Sequence, residues 1–413
     1  MSLTRINLLK NTKMNQSTQN NRVCPVCKED NKDLLFCQQF KIISKVSLLT
    51  GYDVVVCRNC GFCFADHIPD QAAFDLYYRE KSKYEHQDRS GQPSEFETRQ
   101  FPALAQFIQK HVPDPQARII EIGCANGGLL NALKQFGYQN VMGVDPSPVC
   151  ARNAEQLYQI HVLTSTFSEM KMGIGLFDFI ILVAVLEHIK DLADALTKSY
   201  NLLSPYGKLF IEVPDATQFI SSIDAPFQEF SNEHINFFSF ISLSNLMGTY
   251  GFSKVFSTQT SYEQTDTHTG HAVRIVVQKN KDRKPYILTP DHISMPALNN
   301  YIAASQEVEN RIHKIANELG DSQKPLIVWG VGTHTQRLLS TSRLINAKII
   351  AFVDSNPIYQ GKLLDGIPII NPESLTDMNE PILVSSRIFQ NEIVHQIRSE
   401  LKLENKIYTF YEG

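Results

Sequence analysis

Arg118-Ile-Ile-Glu-Ile-Gly-Cys-Ala-Asn-Gly-Gly128 is the stretch that decides how this 413-residue chain is read. The apolar run Ile119–Ile122 predicts a strand, three glycines crowd the turn that follows, and a helix is expected to begin near Leu129. Glycines at a strand-to-helix turn let the backbone approach a bound ligand closely. The spacing is GxxxGG and not GxGxxG, which makes a dinucleotide fingerprint the weaker reading. Two acids flank the turn. Glu121 stands just before it, and Asp145 closes the next apolar run, Val141-Met-Gly-Val-Asp145. An acid at the end of that second strand can accept both hydroxyls of a ribose, and the pair suits a ligand that carries an ammonium as well.

Working outward, the short apolar runs Ile119–Ile122, Val141–Val144, Phe179–Val183, Leu209–Val213 and Arg274–Val277 alternate with helical patterns. Such alternation predicts a parallel sheet in an α/β domain. A polar and aromatic stretch over 69–115, with Tyr77, Tyr78 and Tyr84, leads in through a helix predicted over Glu95 to His111. Downstream, Leu298, Tyr301, Ile302, Val308, Ile312, Ile315 and Leu319 fall at helical spacing, which predicts a connecting helix ending near Gly320. Leu326–Trp329, Ile350–Val353 and Ile382–Val384 then predict a second, smaller α/β unit. Its turn Gly330-Val-Gly332-Thr333-His334, with Asp354 ending the next strand, copies half of a dinucleotide fold. That turn reads either as a grip on a substrate's diphosphate at a helix N-terminus or as scaffold.

Six of the eight cysteines lie within the first 63 residues. Cys24-Pro-Val-Cys27 and Cys57-Arg-Asn-Cys60 form two CxxC knuckles, with short β segments expected between them from Lys41 to Val56. Two such turns supply four thiolates in the tetrahedral arrangement that Zn2+ takes in structural sites, with no position left open for catalysis. Cys63 and Cys37 lie near enough to compete for the fourth place.

Basic and acidic residues nearly balance, 39 against 43, for a formal charge of -4. No global attraction to nucleic acid or to an anionic membrane is built in. The longest apolar run, Phe179–Leu186, falls far short of a membrane span, and residues 1–21 read as a polar, disordered leader without a signal-peptide core. The expectation is a cytoplasmic enzyme of small molecules, where clustered thiols bind zinc. The divisions expected are a leader over 1–21, a zinc-binding domain over 22–68, the main α/β domain with its helical lead-in over 69–290, and the connecting helix with the smaller unit over 291–413.

With Glu121 and Asp145 separated by 24 residues, and with Asp178-Phe-Ile-Ile-Leu-Val-Ala-Val-Leu-Glu-His188 and Leu203-Ser-Pro-Tyr-Gly-Lys-Leu-Phe-Ile-Glu-Val213 in order behind them, the chain resembles the class I S-adenosylmethionine-dependent methyltransferases. The resemblance implies a Rossmann-like core. In it Glu121, Gly123, Cys124, Ala125, Asn126 and Gly127 would form the methionine end of the cofactor site. Asp145 would take the ribose, and Val183 would face the sulfonium. Near Ser165–Phe167, where that family has an acid that meets adenine, this sequence has none.

The four-cysteine segment, Asn232-Glu-His-Ile-Asn-Phe-Phe-Ser239, His268-Thr-Gly270 and the C-terminal glycine turn narrow the resemblance to nucleotide-sugar C-methyltransferases. That family implies transfer of a methyl to carbon 3 of a nucleotide-linked 4-keto-6-deoxysugar in deoxysugar or surface polysaccharide biosynthesis. Carbon beside a ketone becomes nucleophilic only once a base removes its proton, and His is the usual base near neutral pH. His234, oriented by Glu233, is the first candidate and His188 the second, with Tyr84 matching the family's active-site tyrosine. Ser231 stands where the family has a second tyrosine. Two alternatives remain: an O-methyltransferase of a glycan or other hydroxylated acceptor, and a non-catalytic zinc and nucleotide-binding module.

Overall fold

The computed structural model describes residues 21–44, 47–80, 91–223, 225–265, 268–280 and 285–411. The leader expected over 1–21 and Tyr84 thus lie almost wholly or wholly outside the described residues. Three strands open the chain, β1 (Lys32–Gln39), β2 (Gly51–Cys57) and β3 (Cys63–Asp66), followed by the helices α1 (Gln71–Glu80) and α2 (Glu95–Gln109). Ser94 starts α2 with a capping box, its hydroxyl accepting from the Glu97 amide while Glu97 reaches back to the Ser94 amide.

The α/β alternation predicted from the glycine turn is present. β4 (Ile119–Ile122), α3 (Gly128–Gln135), β5 (Val141–Asp145), α4 (Pro148–Tyr158), β6 (Val162–Thr164), β7 (Phe177–Val183), α5 (Leu192–Leu202) and β8 (Leu203–Pro214) follow in turn. Next come β9 (Asn236–Phe237), α6 (Phe240–Thr249), β10 (Phe252–Thr265) and β11 (His268–Lys279). Seven strands form one sheet in the order β10-β11-β8-β7-β4-β5-β6. β6 through β8 run parallel, whereas β11 pairs antiparallel with both β8 and β10. The expectation that Arg274–Val277 joins a parallel sheet is therefore corrected. The long hairpin partner β10, rich in Ser, Thr and Gln, carries no apolar run that the sequence could have revealed.

β4 is buried at every position because helices cover both faces of the sheet, and its side chains alternate between two cores. Ile119 packs with α2 and α3 residues such as Leu104 and Leu129. Ile120 and Ile122 pack on the other side with Leu196, Leu246, Phe62 and Phe64, so the cysteine-rich segment shares the core of the large sheet.

β1, β2, β3 and β9 form a four-stranded antiparallel sheet. The β segments expected over Lys41–Val56 are displaced: β1 ends at Gln39, and the second strand starts only at Gly51. β1 is a half-exposed edge strand, and its Gln38 is buried to donate to the Phe230 carbonyl, so its polarity hides it. Beyond α7 (Ser294–Ser322), about 43 Å long at 1.5 Å per residue, the last unit contains β12 (Pro325–Trp329), α8 (Thr333–Thr341), β13 (Lys348–Val353), β14 (Leu363–Leu364), β15 (Ile367–Ile370), β16 (Ile382–Val384), α9 (Gln390–His395) and β17 (Ile407–Thr409). Its sheet order is β14-β15-β13-β12-β16-β17, with β12 at the centre. No helix among the described residues is long and apolar enough to cross a membrane.

Candidate functional site

The strand order of the large sheet reverses between β4 and β7, and ligands of open α/β sheets bind at the carboxyl ends of strands at such a point. A groove of about 1010 Å³, counting its open mouth, lies there, lined by Gly123, Asp145, Val183, His188, Tyr78 and Glu233 among others. Gly123 and Gly127 adopt φ values of +78° and +77°, which explains why glycine occupies both ends of the turn. The turn is clamped to β5 by the Gly123 amide, which donates to the Val144 carbonyl at 2.8 Å. Gly123 borders the large groove. Cys124, Ala125 and Asn126 line a smaller concavity with Gly91 and Tyr158.

Asp145 is buried and held rigidly. One carboxylate oxygen accepts from the Ala125 amide and the other from the Ser147 amide, both at 2.9 Å. Glu121 is buried too, and its Oε2 has no hydrogen-bond partner among the described residues. Burial, and then the charge of Asp145, pushes its carboxyl up to about 8. An unpaired carboxyl of this kind beside a second acid is the environment that a cationic group of a ligand relieves. The Cys124 thiol, pushed up by burial, fills the space over Gly143, where an added Cβ would lie 2.3 Å from its sulfur. Its side chain is thus core, and only its backbone belongs to the turn.

Ser165, Thr166 and Phe167 line the groove without an acid among them, as the sequence indicates. An acid does reach this part of the groove, from outside the sheet. Asp75 of α1 lines it, held by the Gln71 amide at 2.9 Å and by the Ser168 hydroxyl. Nothing in the sequence pattern distinguishes Asp75 from any other acid on a surface helix.

The histidine side of the groove is built from two loops. His188 ends a short helical turn, Leu186–His188, after β7. Its Nδ1 lies 3.0 Å from the Tyr78 hydroxyl and 3.1 Å from the Glu233 carbonyl oxygen. The His234 ring stands 4.9 Å from that of His188, and Glu187 places Oε1 3.9 Å from His188 Nε2. Donor atoms of Glu187, His188 and His234 all fall within 4.8 Å of one another. The Glu233 carboxylate accepts from Tyr77 at 2.9 Å. Ser231 accepts from the Glu233 and His234 amides, so it shapes the loop that carries both.

That loop is fastened to the cysteine-rich segment. β9 pairs with β3, the Ile235 amide donates to the Glu187 carbonyl, and the Asn236 side chain donates to the Leu186 and Ile189 carbonyls at 2.7 Å. Arg22, whose guanidinium is lowered to about 10 chiefly by burial, donates to the Ile235 and Lys190 carbonyls and to Asn236. Glu187, Tyr78, Asn236 and Arg22 are the residues that sequence reasoning missed. Glu187 was visible beside His188, but the other three act through contacts that span more than 40 positions.

The four sulfurs of Cys24, Cys27, Cys57 and Cys60 converge within 4.8 Å, with Cys24 to Cys60 at 3.5 Å and Cys27 to Cys57 at 3.4 Å. Hydrogen bonds from Cys24 and Cys60 drive the Cys57 thiol far below its ordinary range, toward thiolate. Cys63 points instead at the Gly61 carbonyl, and Cys37 is exposed on β1. The donor set fits a tetrahedral thiolate-bound ion.

Residues 96–256 match the family model described as a methyltransferase domain, and residues 322–408 match one described as C2185-like, N-terminal. The chain is 29% identical over 125 residues to the ubiquinone biosynthesis O-methyltransferase of Xylella fastidiosa strain 9a5c, covering 28% of this chain and 49% of that protein. It is 28% identical over 115 residues to the protein of the same name from Methylococcus capsulatus, covering 26% and 48%. The chain thus spans about half the length of the curated relatives it matches. Solved structures that resemble it include the magnesium protoporphyrin IX methyltransferase of Synechocystis PCC 6803 with bound SAH, at 15% identity over 51% of this chain and 97% of that one, TM-score 0.38. Another is the N-methyltransferase NodS of Bradyrhizobium japonicum WM9 with S-adenosyl-L-homocysteine, at 15% identity over 49% and 97%, TM-score 0.38.

Proposed function

We propose that this chain, whose residues 96–256 form a class I methyltransferase domain, transfers a methyl group from S-adenosylmethionine to a small acceptor that a histidine first deprotonates. The observation that supports this most is that His188 opens on the same groove as Gly123 and Asp145, with His234 packed against it. When bound, S-adenosylmethionine supplies an electrophilic methyl on a sulfonium. Asp145, its carboxylate fixed by two backbone amides, would accept the ribose hydroxyls. Glu121 would answer the ammonium, Gly123 through Gly127 would give the methionine end its backbone surface, Val183 would border the methyl, and Asp75 would serve the adenine in place of the acid absent from Ser165–Phe167.

On the acceptor side His234 takes the proton. Glu187 is the carboxylate beside the histidine pair, which moves the orienting role from Glu233 toward Glu187, while Tyr77 engages Glu233. Tyr78, which meets His188, is the phenol of the described groove; Tyr84 belongs to residues outside the description. The four thiolates of Cys24, Cys27, Cys57 and Cys60 hold a structural Zn2+. The divisions 22–68, 69–290 and 291–413 serve, in this reading, as zinc-binding, methyltransferase and Rossmann-like acceptor units.

The finer reading is C-methylation of a nucleotide-linked 4-keto-deoxysugar through an enolate. It draws support from the C-terminal turn, where Asp354 accepts from the Val331 amide as Asp145 does from Ala125. Thr333, at the start of α8, reaches Asn232 at 3.4 Å, two residues from His234. A second nucleotide-type turn thus abuts the base-bearing loop. The relatives' names favour O-methylation as a second reading. Deuterium wash-in at carbon 3 of a nucleotide 4-ketosugar, with S-adenosylhomocysteine present, tests the first. His234→Asn should lower exchange about 100- to 10,000-fold and leave cofactor affinity intact. Asp145→Ala should weaken S-adenosylhomocysteine by about 2–3 kcal/mol. Absence of exchange with every ketosugar in an otherwise active enzyme would transfer the assignment to oxygen.

A further inference from the structure

We infer that Glu187, His188 and His234 also form a binding site for a borderline-soft divalent cation of the zinc class, and that occupation of this site switches methyl transfer off. The inference rests on the base role given to His234 above. Two imidazoles and a carboxylate converge here, with one donor atom from each within 4.8 Å of the others. Glu187 is buried and the two histidines are partly buried, unlike the exposed acidic groups that gather on surfaces without a metal.

The chemistry of the donors is specific. His188 Nδ1 lies against the Glu233 carbonyl oxygen, which only accepts, and against the Tyr78 hydroxyl, which can accept as well, so both contacts are met by the tautomer with its proton on Nδ1. In that tautomer Nε2, 3.9 Å from Glu187 Oε1, is the nitrogen that would meet a metal. Orientation of a histidine through its second nitrogen is what metal sites use to present the first. Zinc bonds of about 2.0–2.2 Å in a tetrahedron place ligand atoms about 3.4 Å apart, so the three donors need to close by less than about 1 Å each. Glu187 and His188 share a short turn, and Asn236 ties that turn to the His234 loop, so one frame carries all three donors. A metal on His234 takes the lone pair that would accept the acceptor's proton, so metal and proton transfer exclude each other.

The test uses the full chain as purified, with its cysteine site loaded, titrated with Co2+. A nitrogen- and oxygen-bound Co2+ absorbs weakly in the visible, without the strong near-ultraviolet band of thiolate ligation. The expected result is one such visible signal per chain, lost or weakened at least about tenfold in His188→Asn and in Glu187→Gln, with unchanged thermal unfolding required of whichever variant is scored. Zn2+ should displace the signal, and inhibition of methyl transfer should follow the same titration and reverse with a chelator. No visible signal in an active enzyme overturns the metal site alone. A signal in a protein that methylates nothing leaves the site standing and refutes the reaction. Activation by the bound metal overturns the inhibitory role.

Discussion

Replacing Glu121 by Gln should abolish a proton release that accompanies cofactor binding. Burial first, and the Asp145 charge second, hold the Glu121 carboxyl at about 8 against an ordinary 4.5. At pH 7 the free protein therefore carries ~0.9 proton on this side chain, and an ammonium that draws the group back to its ordinary range expels nearly all of it. Titrating S-adenosylhomocysteine by calorimetry at pH 7 in two buffers of different ionisation heat counts those protons. The wild type should release ~0.9 more than Glu121→Gln. The same carboxyl leaves a mark on the free protein. Because its folded value is raised, its stabilising effect is complete below 4.5 and is lost as pH rises through about 8, an interval worth up to about 5 kcal/mol. Urea unfolding of wild type should thus lose ground to Glu121→Gln between pH 5 and 9. Equal proton release in the two proteins would refute the placement of the ammonium, and stability curves that run parallel with pH would refute the buried-acid argument.

Cys57→Ser should drop zinc from one per chain to well below one by elemental analysis, and in the fraction that folds it should impair acceptor turnover while cofactor affinity, measured by calorimetry, stays near wild type. Arg337→Met should destabilise the chain by about 3–5 kcal/mol in urea, because the Arg337 guanidinium donates to both oxygens of buried Glu309, at 2.8 and 2.9 Å, and its loss strands that carboxylate. Pairing it with Glu309→Leu should restore the part of that loss due to the stranded charge while Gln38, whose Oε1 also accepts from Arg337, stays without its donor, and no recovery at all would argue against the stranded charge as the cause.

The parts of the fold that the sequence disclosed are those where one physical period dominates. β4 is covered on both faces, so Ile119–Ile122 reads as an unbroken apolar run, and the +78° and +77° turns at Gly123 and Gly127 demand glycine. Asp145 follows from the same logic, at a fixed distance along the next strand. The CxxC pairs are legible because a tight turn sets the sulfur spacing locally. What was illegible depends on partners far along the chain. β10 and β1 are edge strands with polar faces, and β9 is two residues long, with no periodicity to detect. Glu187 gains its meaning only from His234, 47 positions away, and Tyr78 only from His188. Ser231 stands where the resembled family has a tyrosine, and its hydroxyl has a local task in accepting hydrogen bonds from the Glu233 and His234 amides.

The position of β9 links the cysteine cluster to the chemistry. A site closed by four thiolates has no vacancy for an acceptor, so its influence on catalysis must pass through structure. The path is short. Cys57 and Cys63 end or begin strands of the sheet that β9 completes, and Phe64 pairs with Asn236. Asn236 then holds the carbonyls of Leu186 and Ile189, on either side of Glu187 and His188, and itself follows His234 by two residues. One two-residue strand thus fixes both histidine-bearing loops to the same small sheet. Arg22, two residues before the first cysteine of the cluster, adds donors to the carbonyls of Ile235 and Lys190. The separation of His188 from His234 is therefore set less by the Rossmann-like sheet, which positions only the first of them, than by the cysteine-rich unit packed on its face. Disruption of the cysteine cluster should spread that pair apart before it disturbs Asp145, whose anchors at Ala125 and Ser147 lie entirely within the large sheet's own turns.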